Sequence, residues 1–153
     1  MSGQVLFAFV RHWARRDPAV AEQGRLVLVT EAVDALAGRG VAATVNAVAR
    51  EIGIDQSGAS RLVKEAAAAG WLSMRSPEAD GRRREATLTA TGRDMLTHAH
   101  RWQERVFDQL TAGWSERRRR DFAAAMTDLM GRSRALADAG SRAVAGDEER
   151  DAE

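Results

Sequence analysis

Thr44–Ala69, TVNAVAREIGIDQSGASRLVKEAAAA, decides how the chain is read. Thr44 offers the side-chain oxygen of a helix N-cap. Val45, Val48, Ala49 and Ile52 then fall at i, i+3, i+4 and i+7, one face of a helix. Gly53 ends that helix, because the chain must turn through a positive φ that other residues resist. Asp55 caps a second helix running to about Ala69, and Gly70 stops it. Two short helices across a three- or four-residue turn with a glycine in it form the helix-turn-helix layout. In the second helix Ala59, Leu62, Val63 and Ala66 make an apolar face suited to packing on the first. Gln56, Ser57, Ser60, Arg61 and Lys64 make the opposite, polar face. Those are the groups a major-groove reader needs. Arg can grip guanine and Gln adenine with paired hydrogen bonds, and serines can meet phosphates or base edges.

A polar face alone is what most surface helices carry, so the next element decides between the two readings. Trp71–Ser76 and Glu85–Thr89 read as two short strands. Between them Pro77–Arg84 contains Pro, Asp, Gly and three consecutive arginines, a hairpin with a basic tip. Arg82, Arg83 and Arg84 on a hairpin directly after a reading helix make a wing, placed to reach the sugar-phosphate backbone or the minor groove. The charge distribution agrees. The 153 residues carry a net charge of only +1, but Asp138–Glu153 holds six acids and two bases, leaving the first 137 residues at +5. The surplus is arginine, with Lys64 the single lysine, and the guanidinium suits phosphates and guanine edges.

The flanks are helical. Residues 1–16 place Val5, Leu6, Phe9 and Trp13 on one face, and Asp17-Pro18 reads as an N-cap followed by the first helical position of a second helix. Leu26, Val29, Val33 and Leu36 recur at helical spacing until Gly38-Arg39-Gly40. After the hairpin, Thr91 is expected to cap a helix over about 91–112, and Ser115-Glu116 opens a last one carrying Phe122, Met126 and Leu129. Beyond about Ala137 the chain is small, acidic and aperiodic, and 138–153 is expected to be a disordered tail. Phe7, Phe9, Phe107, Trp114, Phe122, Met126, Leu129 and Met130 exceed what the small reading head can cover, so a dimer interface is expected; a monomeric core is the competing reading. The expected fold is mainly α with a small β-hairpin wing. It is one domain over 1–137, with a winged helix-turn-helix at about 41–93 and long dimerisation helices at about 1–37 and 91–137.

Other classes are disfavoured. With no cysteine there are no disulfides, thiolate metal sites or thiol sensors. His98 and His100 lie at i, i+2 on a helix and point apart, so no metal is expected. There is no Gly-rich phosphate loop and no nucleophile elbow, so no enzyme or cofactor is expected. No apolar run approaches 18 residues. Met1–Val10 lacks a basic start and a cleavage site, so it reads as part of the fold, and a cytoplasmic protein without a membrane partner is expected.

The stretch Thr44–Met95 resembles the core of the MarR family of winged helix-turn-helix transcriptional regulators. The matching pieces are AVAREIGIDQSGASRLVKEAAAAGWL, the wing motif Asp80-Gly81-Arg82, Leu88-Thr89 six and seven residues after that arginine, and Thr91-Gly92-Arg93. Two helices before the reading head and two after it extend the likeness over about residues 5–137. Trp71 departs from the usual Leu or Tyr, and Ala66–Ala69 from bulkier residues. The resemblance implies a ligand-responsive repressor that binds a palindromic operator in double-stranded DNA as a homodimer. It implies that Arg82 enters the minor groove or holds phosphate and that Asp80 orients it. It further implies a small aromatic or phenolic effector in a cleft, for which His12, Trp13, Arg16 and Arg25 are the candidates. The alternatives are another type of winged-helix regulator, or a winged helix used only for protein contacts.

Overall fold

In the computed structural model of the chain, residues 2–14, 18–76 and 84–150 are described, with side chains for 3–10, 12, 24–76 and 84–140. The elements are α1 (Ser2–Ala14), α2 (Pro18–Gly38), α3 (Val45–Ile52), α4 (Gln56–Ala68), β1 (Leu72–Arg75), β2 (Glu85–Leu88), α5 (Ala90–Leu110) and α6 (Glu116–Arg150). The mainly helical fold with one two-stranded wing is the expected one. The chain divides into two compact units, Met1–Glu104 and Arg105–Glu153.

The core of the first unit is aliphatic and small. Val29, Ala32, Val33 and Leu36 of α2 meet Ala47 and Val48 of α3, Leu62, Val63 and Ala66 of α4, and Leu72 and Ala86 of the strands. α4 packs against both α2 and α3, and β1 closes on α4. Ala66 is left with no exposed surface and Ala67 is half-buried, whereas Ala68 and Ala69 are exposed, so the alanine-rich end of α4 packs through its first two residues. β1 and β2 pair antiparallel, Leu72 facing Leu88 and Arg75 facing Glu85, with the Ser73 and Thr87 hydroxyls 2.9 Å apart. A further connection was not anticipated from the sequence. Thr44 bridges to Glu85, and the Ala86 amide donates to the Ala43 carbonyl at 2.9 Å, tying β2 to the residues that precede α3.

The helix ends obey local chemistry. Thr44 has extended backbone (φ −69°, ψ 159°), and its hydroxyl accepts from the Ala47 amide at 3.2 Å. Thr44→Ala is expected to cost about 1 kcal/mol, the usual worth of such a cap, with urea denaturation as the check. Gly53 ends α3 at φ 72° and its amide donates to the Ala49 carbonyl. Gly70, at φ 80°, closes α4 in a Schellman motif: its amide donates to Ala67 and the Trp71 amide to Ala66, both at 3.0 Å. Arg39 at the end of α2 meets Glu51 of α3 at 2.6 Å, a charged clasp across the same corner.

Two expectations are corrected. The cap of α5 is Thr89 and not Thr91: the Thr89 hydroxyl accepts from the Gly92 amide at 3.0 Å, and its carbonyl accepts from Arg93. Both threonines have capping chemistry; only Thr89 also lies beside the α4–β1 junction. The backbone of α6 stays helical through Arg150, past the expected end near Ala137. Its alanines, arginines and glutamates are good helix formers, which suffices without an apolar period.

In the second unit the turn after α5 is built from Thr111–Ser115. Gly113 takes φ 80°, and the Ser115 hydroxyl accepts from the Arg118 amide, as expected of the residue that opens α6. Phe107, Trp114 and Phe122 form a small aromatic cluster, with Phe122 edge-on to Trp114 at 5.6 Å and the Arg118 guanidinium 4.1 Å above the Trp114 ring. Arg119 ties the turn together through Asp108 at 2.7 Å and the Thr111 carbonyl at 3.3 Å. Phe122, Met126, Leu129, Met130 and Leu136 remain exposed along α6. In the first unit Val5, Leu6, Phe7, Phe9 and Val10 are exposed on α1.

Candidate nucleic-acid interface

The two faces of α4 separate as their residue types require. Ala59, Leu62, Val63 and Ala66 are buried against α2 and α3, while Gln56, Ser57, Arg61 and Lys64 are exposed and Ser60 is half-buried. The five predicted polar residues therefore lie along one helix, on the side away from the core. Arg61 is 76 % exposed, and its ion pair to Glu65, at 3.9 Å, is long and solvent-facing, so it holds the guanidinium only weakly.

The N-terminus of α4 is fixed by Asp55. Its Oδ1 accepts from the Ser57 hydroxyl and from the Gly58 amide, the latter at 2.8 Å. The Ser57 hydroxyl first, then the Gly58 amide, hold the Asp55 carboxyl below the usual carboxylate range. A folded-state pKa lowered in this way makes the cap fully present above the carboxyl's unfolded value, and the cap is lost only as pH falls through the lower folded value. The Gly58 amide resonance is therefore expected to stay constant around neutral pH and to titrate only in strong acid. Asp55 was read as a cap from the sequence, but its hold on Ser57 was not foreseen; the Asp-x-Ser spacing is the signal that carries it.

The wing begins and ends where expected. Of its predicted contact residues, Arg84 is described and exposed; Asp80, Arg82 and Arg83 lie outside the described residues. The base of the wing is clamped to α5. The Thr89 hydroxyl donates to the Gly70 carbonyl at 2.6 Å, and the Thr89 amide donates to the Trp71 carbonyl at 3.1 Å. Gly92 sits so close that a Cβ there would stand 2.1 Å from the Trp71 oxygen. Sequence reading passed over this clamp, although Thr89-x-x-Gly92 is its signature: a capping hydroxyl three residues before a residue with no side chain.

The effector candidates divide. His12 on α1 and Arg25 on α2 are exposed; the side chain of Trp13, and Arg16 altogether, lie outside the described residues. His98 bonds the Asp94 carbonyl of its own helix at 2.8 Å, whereas His100 faces Glu31 of α2 at 3.4 Å. Glu31 also accepts from Gln103 at 2.7 Å. The two histidines thus point to different partners. Among the described residues no helix is long and apolar enough to cross a membrane.

Residues 27–83 match the model of the MarR family. No curated protein matches the chain by sequence. Among solved structures the chain is similar to MarR (TM-score 0.66, 16% identity, covering 89% of this chain and 92% of that one). It is also similar to the transcriptional regulator SlyA (TM-score 0.63, 12% identity, 88% and 95%). A third is Bordetella bronchiseptica BpsR, described by the regulation of its DNA binding by 6-hydroxynicotinic acid (TM-score 0.57, 18% identity, 85% and 93%). The chain carries the winged helix-turn-helix fold found in solved structures of MarR-family transcriptional regulators, and residues 27–83 are the part that is similar to that family's model.

Proposed function

We propose that the chain is a sequence-specific DNA-binding transcriptional regulator, with α4 as its major-groove reader and Arg82, Arg83 and Arg84 of the wing as its backbone or minor-groove contacts, Asp80 orienting Arg82. The observation that carries this reading is the exposed set Gln56, Ser57, Arg61 and Lys64 on a helix whose opposite face is wholly buried and whose two ends are capped. Such a face is held rigidly enough to enter a groove about 12 Å wide. Binding to mixed-sequence duplex across a salt series is the test. The affinity should fall steeply and linearly on logarithmic axes as salt displaces arginine–phosphate contacts. Salt-independent binding, or none, would oppose the reading and favour a protein-contact module.

The regulator works as a cytoplasmic homodimer on a palindromic site, with half-sites about one helical turn (roughly 10 bp) apart. Support comes from the apolar side chains exposed on α1 and, separately, on α6. Light scattering at micromolar concentration should give about twice the 16.7 kDa chain mass; a stable, well-folded monomer would contradict it. Although α6 continues to Arg150, we propose that the functional domain ends near Ala137 and that 138–153 is dispensable. Truncation there should leave the melting temperature nearly unchanged and raise DNA affinity slightly at low salt, because six acids leave the field.

Repression relieved by a small aromatic or phenolic acid is the regulatory mode that fits, with His12, Trp13, Arg16 and Arg25 as candidate contacts. A guanidinium meets a carboxylate and an indole stacks on a ring. The named effector of BpsR, an aromatic acid, is of this chemical class.

A further inference from the structure

We propose that Ser57 is a specificity-determining residue that accepts a hydrogen bond from an exocyclic amino group of a base, adenine N6 or cytosine N4, and does not hold phosphate. The inference rests on the DNA-reading function proposed above.

A serine hydroxyl has one proton to donate and two lone pairs with which to accept. In this chain the proton is committed. The Ser57 hydroxyl lies against Asp55 Oδ1, and an ionised carboxylate can only accept, so Ser57 is the donor. Asp55 is exposed at the start of α4 and stays ionised at neutral pH, since its carboxyl is held below the usual range. A hydrogen bond to a charged acceptor is about twice as strong as a neutral one. Ser57 therefore turns only lone pairs toward a ligand. Phosphate oxygens are acceptors too. Binding one would require Ser57 to withdraw its proton from Asp55 and would bring a second negative charge beside that carboxylate. Guanine O6 and N7 and thymine O4 are acceptors and are excluded for the same reason. The donors on base edges in the major groove are the amino groups of adenine and cytosine. Ser57 is exposed on the same side of α4 as Gln56, Arg61 and Lys64, where such a group would be met.

The test uses the full chain and the duplex it selects from random DNA. Each adenine in turn is replaced by purine and each cytosine by 2-pyrimidinone, which removes the major-groove amino group. At one position per half-site the parent should lose about fivefold in affinity, the usual worth of one neutral hydrogen bond. Ser57→Ala should be weaker on the intact duplex and lose nothing further at that position. Ser57→Thr, which keeps the hydroxyl, should restore the sensitivity. The identity of the sensitive base says whether adenine or cytosine is read. Helical content measured by circular dichroism should be equal in all three proteins. If Ser57→Ala weakens selected and scrambled duplexes alike and leaves the amino-deletion profile unchanged, Ser57 holds backbone and the proposal falls alone. If the parent selects no sequence at all, the DNA-reading function falls and takes the proposal with it.

Discussion

Gly92→Ala is expected to lower the melting temperature by about 10 °C, which corresponds to about 3 kcal/mol for a chain of this size. The added Cβ would stand 2.1 Å from the Trp71 carbonyl oxygen, 2.9 Å from its carbon and 3.2 Å from its Cα. All three are backbone atoms, so no side-chain rotation can relieve the clash. The start of α5 must move away from Trp71, and that movement breaks the bonds of Thr89 to Gly70 and Trp71. The loss has a functional arm as well. Gly70 and Trp71 join the reading helix to β1, so a displaced clamp alters the placement of the wing relative to α4. DNA affinity should therefore fall even at temperatures where the variant is folded. Thermal denaturation and duplex binding check the two arms. A variant as stable as its parent would show that α5 is not seated on Trp71 in solution.

Arg61→Ala is expected to cost roughly 1–3 kcal/mol per half-site and to relax the preference at one base position in each, the signature of a lost bidentate contact to guanine. Arg61 is exposed, carries a weak pair to Glu65, and lies on the side of α4 opposite the buried Leu62 and Val63. Arg82→Ala should behave differently. A wing arginine on phosphate weakens all sequences more evenly, and in a dimer the slope of log affinity against log salt should become shallower by about 2. Some preference for A·T flanks is lost with it where the guanidinium lies in a narrow minor groove. Both variants are to be measured on selected and scrambled duplexes across a salt series. An Arg61→Ala protein with intact sequence preference, beside an Arg82→Ala protein that has lost it, would reverse the two roles.

The reading head was legible because its signals are local. Ala59, Leu62, Val63 and Ala66 follow the helical period and are all buried, and the chemistry of Thr44, Gly53, Asp55 and Gly70 sets the ends of α3 and α4 within a residue. What escaped depends on parts of the chain meeting across space. Thr89 and Thr91 are equivalent as caps by composition; the approach of Gly92 to Trp71, some twenty residues earlier, separates them. The link between Ala43–Thr44 and β2 has no period to betray it, being one bridge and one amide bond. Apolar periodicity marks α6 only to about Ala137, whereas intrinsic propensity carries the backbone on to Arg150. Of the candidate site, the polar residues of α4 could be read from one turn of helix after another. The donor–acceptor sense of Ser57 could not, since it is fixed by the rotamer that brings its hydroxyl to Asp55.

The central claim is that α4 reads DNA sequence. Selection of bound duplexes from a random pool by the purified full-length chain tests it most directly. The account predicts enrichment of a two-fold symmetric motif whose half-sites are about one helical turn apart. It also predicts that the same selection with Arg61→Ala yields a motif degenerate at one position in each half. A pool that emerges as random as it entered would contradict it.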